Sequence, residues 1–256
     1  MASSVRVHLA GRLSLEVDGV RVDQPQFPGQ QGRLAFAYLV SERGRPVARS
    51  ELAEVLWPKT LAPSWDSALS AIVSKLRAVI SGTGLDGSAV LGTSAGCYEL
   101  RFPGDAWVDL EVAADSIHEA EVALRNGDSR AAYGPSAIAH HIARRPLLAG
   151  DDSPWADAKR DKLRGILVRA LECRAEVYLW NKEHTLAVEA AKDVVALEPF
   201  RETAHQLLMR AHAASGNSAE ALLAYERCRK LLAEELGVDP SRATKAIHEE
   251  ILRLSS

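Results

Sequence analysis

Apolar and polar residues alternate through Val5-Arg6-Val7-His8-Leu9 and again through Leu13-Ser14-Leu15-Glu16-Val17. A period of two puts one face of an extended chain on a core, so both runs are predicted strands. Asp18-Gly19 then turns the chain into Val20-Arg21-Val22, which completes a small antiparallel sheet. After a loop from Gln24 to Gly32 the rhythm changes: Leu34 to Val40 starts a helix that Gly44 ends, and Pro46-Val47 is extended. Ser50 is placed to cap a short helix from Glu51 to Leu56. Trp57-Pro58 stops it, because proline disfavours the helical conformation of the residue before it.

A loop, Lys59 to Pro63, leads to a third helix with Ser64 as N-cap and Asp66 in the first turn, where a carboxylate complements the helix dipole. Leu69, Val73, Leu76 and Ile80 recur at helical spacing and form its inward stripe. The opposite face carries Ser67, Ser70, Ala71, Ser74, Lys75 and Arg77. Past Gly82-Thr83-Gly84, Val90-Leu91 and Tyr98-Glu99-Leu100-Arg101 flank Gly92 to Gly96 as a hairpin.

From residue 109 the pattern is helical throughout. Asp109 to Arg125 reads as one helix, Arg130 to Ile142 as a second interrupted at Gly134-Pro135, and Trp155 to Asn181 as a long amphipathic third. Ala187 to Pro240 reads as two stacked hairpins, in which Tyr178 and Ala187 recur as His212 and Ala221. A spacing of about 34 residues is the tetratricopeptide period, in which one hairpin buries its apolar stripe only against the next. Small residues such as Ala187, Ala191, Ala211 and Ala221 let the helices approach, and Leu207, Leu208, Leu222 and Tyr225 fill between them. Gly237 suits a helix C-cap, and Asp239-Pro240 an N-cap followed by proline at the first position of a last helix up to Leu254.

The expected architecture is therefore mainly α with two domains: a winged helix-turn-helix with small antiparallel sheets over residues 1–103, and an all-α tetratricopeptide-like domain over 104–256, joined at Phe102-Pro103-Gly104-Asp105. A length of 256 residues fits two cores. Net charge is −3, with a surplus of one cation over residues 1–105, so any nucleic-acid face is a local patch rather than a general field.

Enzyme chemistry finds no foothold. The eight histidines show no HExxH or comparable ligand spacing, GxSxG is absent, and the glycine clusters lack the lysine of a phosphate loop. His205 and His212 share a helical face, which is commoner for satisfied polar residues in a bundle than for a metal pair. Cys97, Cys173 and Cys228 lack paired spacing and read as small hydrophobes in a reducing compartment; neither metal nor cofactor is implied. Trp107, Trp155 and Trp180 read as core or interface anchors. Met1 to Arg6 has no apolar stretch of signal length and no segment is long enough to span a bilayer, so a cytoplasmic protein with no membrane association is expected.

The exposed side of the third helix is the element that such a domain can place in a major groove. Ser70, Ala71 and Ser74 permit close approach, Lys75 and Arg77 supply phosphate or guanine contacts, and Thr93 and Ser94 offer hydroxyls to phosphate oxygens. A solvated face with two cations that complement a helix C-terminus carries the same composition, so the pattern alone leaves both readings open.

A resemblance adds to this. Val47-Ala48-Arg49-Ser50-Glu51-Leu52, Leu56-Trp57-Pro58 and Ala68 to Arg77 resemble the DNA-binding domain of the Streptomyces antibiotic regulatory protein family. Glu198-Pro199-Phe200-Arg201-Glu202, Ala219 to Arg227 and Glu235 to Ser241 are similar to that family's bacterial transcriptional activation domain. The resemblance implies a transcriptional activator with an OmpR-type winged helix, binding direct repeats in double-stranded promoter DNA as a side-by-side homodimer and recruiting RNA polymerase holoenzyme. By position it puts the base-reading face on Ser67, Ser70, Ala71, Ser74, Lys75 and Arg77, and backbone contacts on Arg49, Thr93 and Ser94. In this chain Ala71 and Ile72 stand at central positions beside Asp66, where the family is richer in Arg, Gln or Tyr. The sparse cations and Asp66 favour the alternative, a protein- or ligand-binding regulatory adaptor that acts through the helical domain with weakened DNA contact.

Overall fold

The N-terminal period-two runs form strands β1 (Val5–His8), β2 (Ser14–Val17) and β3 (Val20–Asp23), each antiparallel to the next. Asp18 and Gly19 both hold positive φ, the two-residue turn that suits the strand twist. A computed structural model describes residues 4–61 and 63–254. Ala62 of the expected Lys59–Pro63 loop and the first three residues of the N-terminal stretch lie outside these.

Helix α1 (Gly29–Ser41) begins earlier than expected, after a short 3-10 turn over Gln24–Gln26, and buries Leu34 to Val40. Strand β4 (Val47–Ala48) precedes α2 (Arg49–Leu56), and α3 is Trp65–Ser81. Leu69, Val73, Leu76 and Ile80 are all buried, as their spacing requires. A one-turn helix, α4 (Gly87–Val90), leads to β5 (Leu91–Ser94) and β6 (Cys97–Leu100). The hairpin is tighter than expected: only Ala95 and Gly96 turn it, so Thr93 and Ser94 are strand residues.

Two capping expectations differ. Ser50 is not the cap of α2, because Ala48 takes that place and the Arg49 amide donates to the Gly96 carbonyl of the hairpin turn at 3.2 Å. Ser64 does occupy the N-cap of α3, without a side-chain cap bond.

The chain divides into two compact units, one of residues 1–112 with 142–163, the other of 113–141 with 164–256. The Phe102–Asp105 joint thus lies inside the first unit. There β7 (Ala106–Val108) adds to the first sheet parallel to β1, giving the order β3-β2-β1-β7 and correcting the expectation of antiparallel sheets alone. Three residues are too few to show a period, and their partner lies about a hundred positions away. The tie is reinforced by the buried carboxylate of Asp109, which accepts the amides of Leu9 and Ala10 at 2.9 Å each. Desolvation pushes its pKa up.

The remaining helices are α5 (Asp109–Arg125), α6 (Ser129–Ala143), α7 (Pro154–Trp180), α8 (His184–Leu197), α9 (Glu202–Ala214), α10 (Ser218–Leu236) and α11 (Arg242–Leu254). Helix α6 runs through Pro135 without the expected interruption. In the second unit, Tyr178, Ala187, Ala191, Leu207, Leu208, Ala211, Ala221 and Tyr225 share one core, with Leu222 at its margin. Gly237 closes α10 in the left-handed region, where its amide bonds to Ala233 and that of Val238 to Leu232. The last helix starts two residues later than Asp239-Pro240 suggests: Ser241 accepts the Lys245 amide on its carbonyl, and Glu202 of α9 accepts the Ser241 amide at 2.8 Å. Trp155 meets the Tyr38 ring edge-on, whereas Trp180 is 68% exposed and anchors no core.

Candidate nucleic-acid interface

The exposed side of α3 is a ridge of small side chains. Ser67, Ala71, Ser74 and Ala78 are all open to solvent. Ala78 follows from the same helical spacing but is easily passed over, since it carries no polar group. The three cations expected at this face are not equivalent. Lys75 flanks the ridge on one side, lining a groove with Val22, Gln26, Pro28, Ala78, Val79 and Gly82, and makes no ion pair among the described residues. Arg77 lies on the opposite flank, where its Nε donates to the Leu91 carbonyl at 2.9 Å and its Nη2 to Thr93 Oγ1 at 2.7 Å. It joins the helix to the hairpin.

Arg49 is the most heavily engaged. Its Nη2 donates to Asp66 Oδ1 at 2.6 Å and to Ser70 Oγ at 2.8 Å, and Nη1 donates to the Tyr98 hydroxyl. The first residue of α2, the first turn of α3 and the β6 strand are thereby locked together. Ser94 is exposed on the hairpin. The structure brings Arg49 with Ser70, and Arg77 with Thr93, while Lys75 stands apart from both pairs. The Arg49–Asp66 contact carries no signal in the sequence, because residues 49 and 66 meet only once two helices cross.

On the second unit, α7 carries carboxylates that meet cations of the next hairpin. Glu172 accepts from Arg201 at 2.7 Å and Glu176 from Arg210 at 2.5 Å, while Arg169 donates to Glu121 of α5 at 2.5 Å. His205 bonds to the Pro199 carbonyl, and no group of three or more potential metal ligands occurs among the described residues. No helix among them is long and apolar enough to cross a membrane.

A three-helix unit whose outward helix is tied to a hairpin wing, in one chain with tetratricopeptide-like hairpins, defines the fold class: a winged helix-turn-helix followed by an all-α tetratricopeptide-like domain. The chain belongs to the Streptomyces antibiotic regulatory protein family, and residues 108–252 match the family described as "Bacterial transcriptional activator domain". It is 32% identical over 223 residues to the regulatory protein AfsR of Streptomyces coelicolor, covering 87% of this chain and 22% of AfsR. It is 31% identical over 255 residues to the transcriptional regulatory protein EmbR of Mycobacterium tuberculosis, covering 96% of this chain and 62% of EmbR. The chain thus spans about a fifth of the length of AfsR. A solved structure of Mycobacterium tuberculosis EmbR in complex with a low affinity phosphopeptide superimposes with a TM-score of 0.86 at 26% identity, over 98% of this chain and 66% of that one. The relatives it matches are regulatory proteins.

Proposed function

We propose that the protein is a sequence-specific transcriptional activator in the cytoplasm: residues 1–103 bind direct repeats in promoter DNA, and residues 104–256 recruit RNA polymerase holoenzyme. The observation that carries this reading is the ridge of Ser67, Ala71, Ser74 and Ala78, exposed along α3 with a cation on each flank. Small side chains let a helix backbone approach base edges, and a wing anchored through Arg77 and Thr93 is held beside the same groove.

Affinity from this face is limited, since few cations are available for phosphates, and about six phosphate contacts already lose roughly 10³-fold in binding between about 50 and 200 mM salt. Two protomers on adjacent repeats recover affinity through effective concentration. Titration of a promoter duplex bearing one repeat against one bearing two should show tighter, cooperative binding to the second; equal affinity refutes the dimer. Transcription from that duplex with purified holoenzyme should rise with the full chain.

The competing reading is a regulatory adaptor that acts through the helical unit. The engagement of Arg49 by Asp66 favours it, because a cation paired within the protein is less available to phosphate. Failure of the protein to shift any duplex from its own upstream region at low salt would select this reading.

A further inference from the structure

Among the side chains exposed on the first turn of α3 is a carboxylate, an unexpected charge beside a surface proposed to meet DNA. Asp66 is 61% exposed, and its Oδ1 takes the Arg49 guanidinium through Nε at 3.0 Å and Nη2 at 2.6 Å. Its backbone carbonyl accepts Ser70 Oγ at 2.9 Å. Arg49 is itself fixed by Ser70, by the Tyr98 hydroxyl, and by the Tyr98 ring at 5.1 Å from its guanidinium carbon. Oδ2 of Asp66 accepts no hydrogen bond among the described residues. One oxygen therefore holds the group in place, and the other, on a side chain more than half exposed, has no partner among the described residues.

An ionised carboxylate only accepts hydrogen bonds. Beside phosphates it is repelled, so it lowers affinity for every sequence and can be useful only through discrimination. The major-groove edges differ sharply toward such a group. Guanine presents two acceptors, thymine an acceptor and a methyl, and adenine a donor next to an acceptor that repels a carboxylate; cytosine alone presents an amino donor with no acceptor of its own.

We infer that Asp66 is a specificity residue: its Oδ2 accepts from the N4 amino group of a cytosine opposite the first turn of α3, with Arg49 as the positioning residue. This rests on the reading above that α3 enters the groove. Holding Oδ1 in advance reduces the ordering entropy lost on contact. The same ion pair withholds Arg49 from the phosphates, so the residue exchanges affinity for selectivity.

The test is selection from a randomised duplex pool by the full chain and by Asp66→Ala, followed by salt titration of a selected and an unrelated duplex. The parent chain is expected to select a motif with a cytosine position. Asp66→Ala is expected to lose preference at that position alone, by about fivefold or more. It should bind the unrelated duplex equally or more tightly, with a salt slope steeper by about one as Arg49 becomes available to phosphate. Asp66→Asn, which keeps the shape and an acceptor for Arg49 but turns a donor outward in place of Oδ2, should move the preference from cytosine toward guanine, whose edge presents two acceptors, and it is the variant to read if Asp66→Ala unfolds. Retention of the cytosine preference in either folded variant overturns the inference, as does an equal loss of affinity for all duplexes. A parent chain that retains no duplex overturns the DNA-binding reading together with it, whereas a parent that selects a motif unchanged in Asp66→Ala overturns the inference alone.

Discussion

Arg77 Nη2 lies 2.7 Å from Thr93 Oγ1, and this bond, with the one from Arg77 Nε to the Leu91 carbonyl, couples α3 to the hairpin of β5 and β6. Lys75, two residues earlier, has no such duty. Alanine at the two positions should therefore have different effects. Lys75→Ala is expected to leave thermal unfolding unchanged and to reduce the salt slope of DNA binding by about one. Arg77→Ala should cost about 1 kcal/mol of stability as well, since it leaves two acceptors without their donor. Paired melting curves and salt titrations separate the two.

Behind the same arginine, α4 comes so close to α3 that a Cβ on Gly87 would lie 2.1 Å from the Arg77 carbonyl oxygen. Backbone cannot yield as a side-chain tip can. Gly87→Ala should destabilise the first unit by about 1–3 kcal/mol, as other overpacking substitutions do. A shift in the urea midpoint measures it.

At the wing tip Ala95 holds φ of 49°, in the left-handed region that an L-residue enters at a cost of about 1–2 kcal/mol. Asparagine tolerates that conformation, and Asn-Gly is the preferred pair for this two-residue turn. Ala95→Asn is expected to stabilise the hairpin by about 0.5–1 kcal/mol, seen as a higher melting temperature.

Arg45 holds the Glu51 carboxyl down at about 2 through a 2.6 Å contact, and the Tyr38 hydroxyl donates to the same oxygen at 2.5 Å. A depressed acid stabilises the fold above its unfolded value near 4.5 and loses that contribution as pH falls through about 2. The pair is partly solvated, so its worth is bounded at about 1 kcal/mol. Glu51→Gln should lower the urea midpoint near neutral pH, and its deficit against the parent should shrink as pH falls toward 2.

Burial pushes the thiol of Cys173 up to about 12 and that of Cys228 to about 11, whereas Cys97 is partly exposed on β6. The thiolate is the reactive form. A disulfide exchange reagent near neutral pH should therefore label Cys97 first, and Cys173 and Cys228 only on unfolding. Rapid labelling of all three in the folded protein would contradict the packing.

The amino-acid order by itself determined whatever depends on neighbours within a turn or two. Period-two runs placed β1 to β3, the spacing of Leu69, Val73, Leu76 and Ile80 defined the outward side of α3, and the recurrence of Ala187 at Ala221 marked the stacked hairpins. Only the tertiary structure decided the pairing of β7 with β1, the capping of α2 by the Gly96 carbonyl, and which cations beside the exposed side of α3 are held within the protein. Arg49 and Asp66 stand seventeen positions apart with no periodic relation. Whether such a cation is free for phosphate or held by a carboxylate depends on how two helices cross, and that crossing is set by the summed burial of many side chains rather than by any local signal.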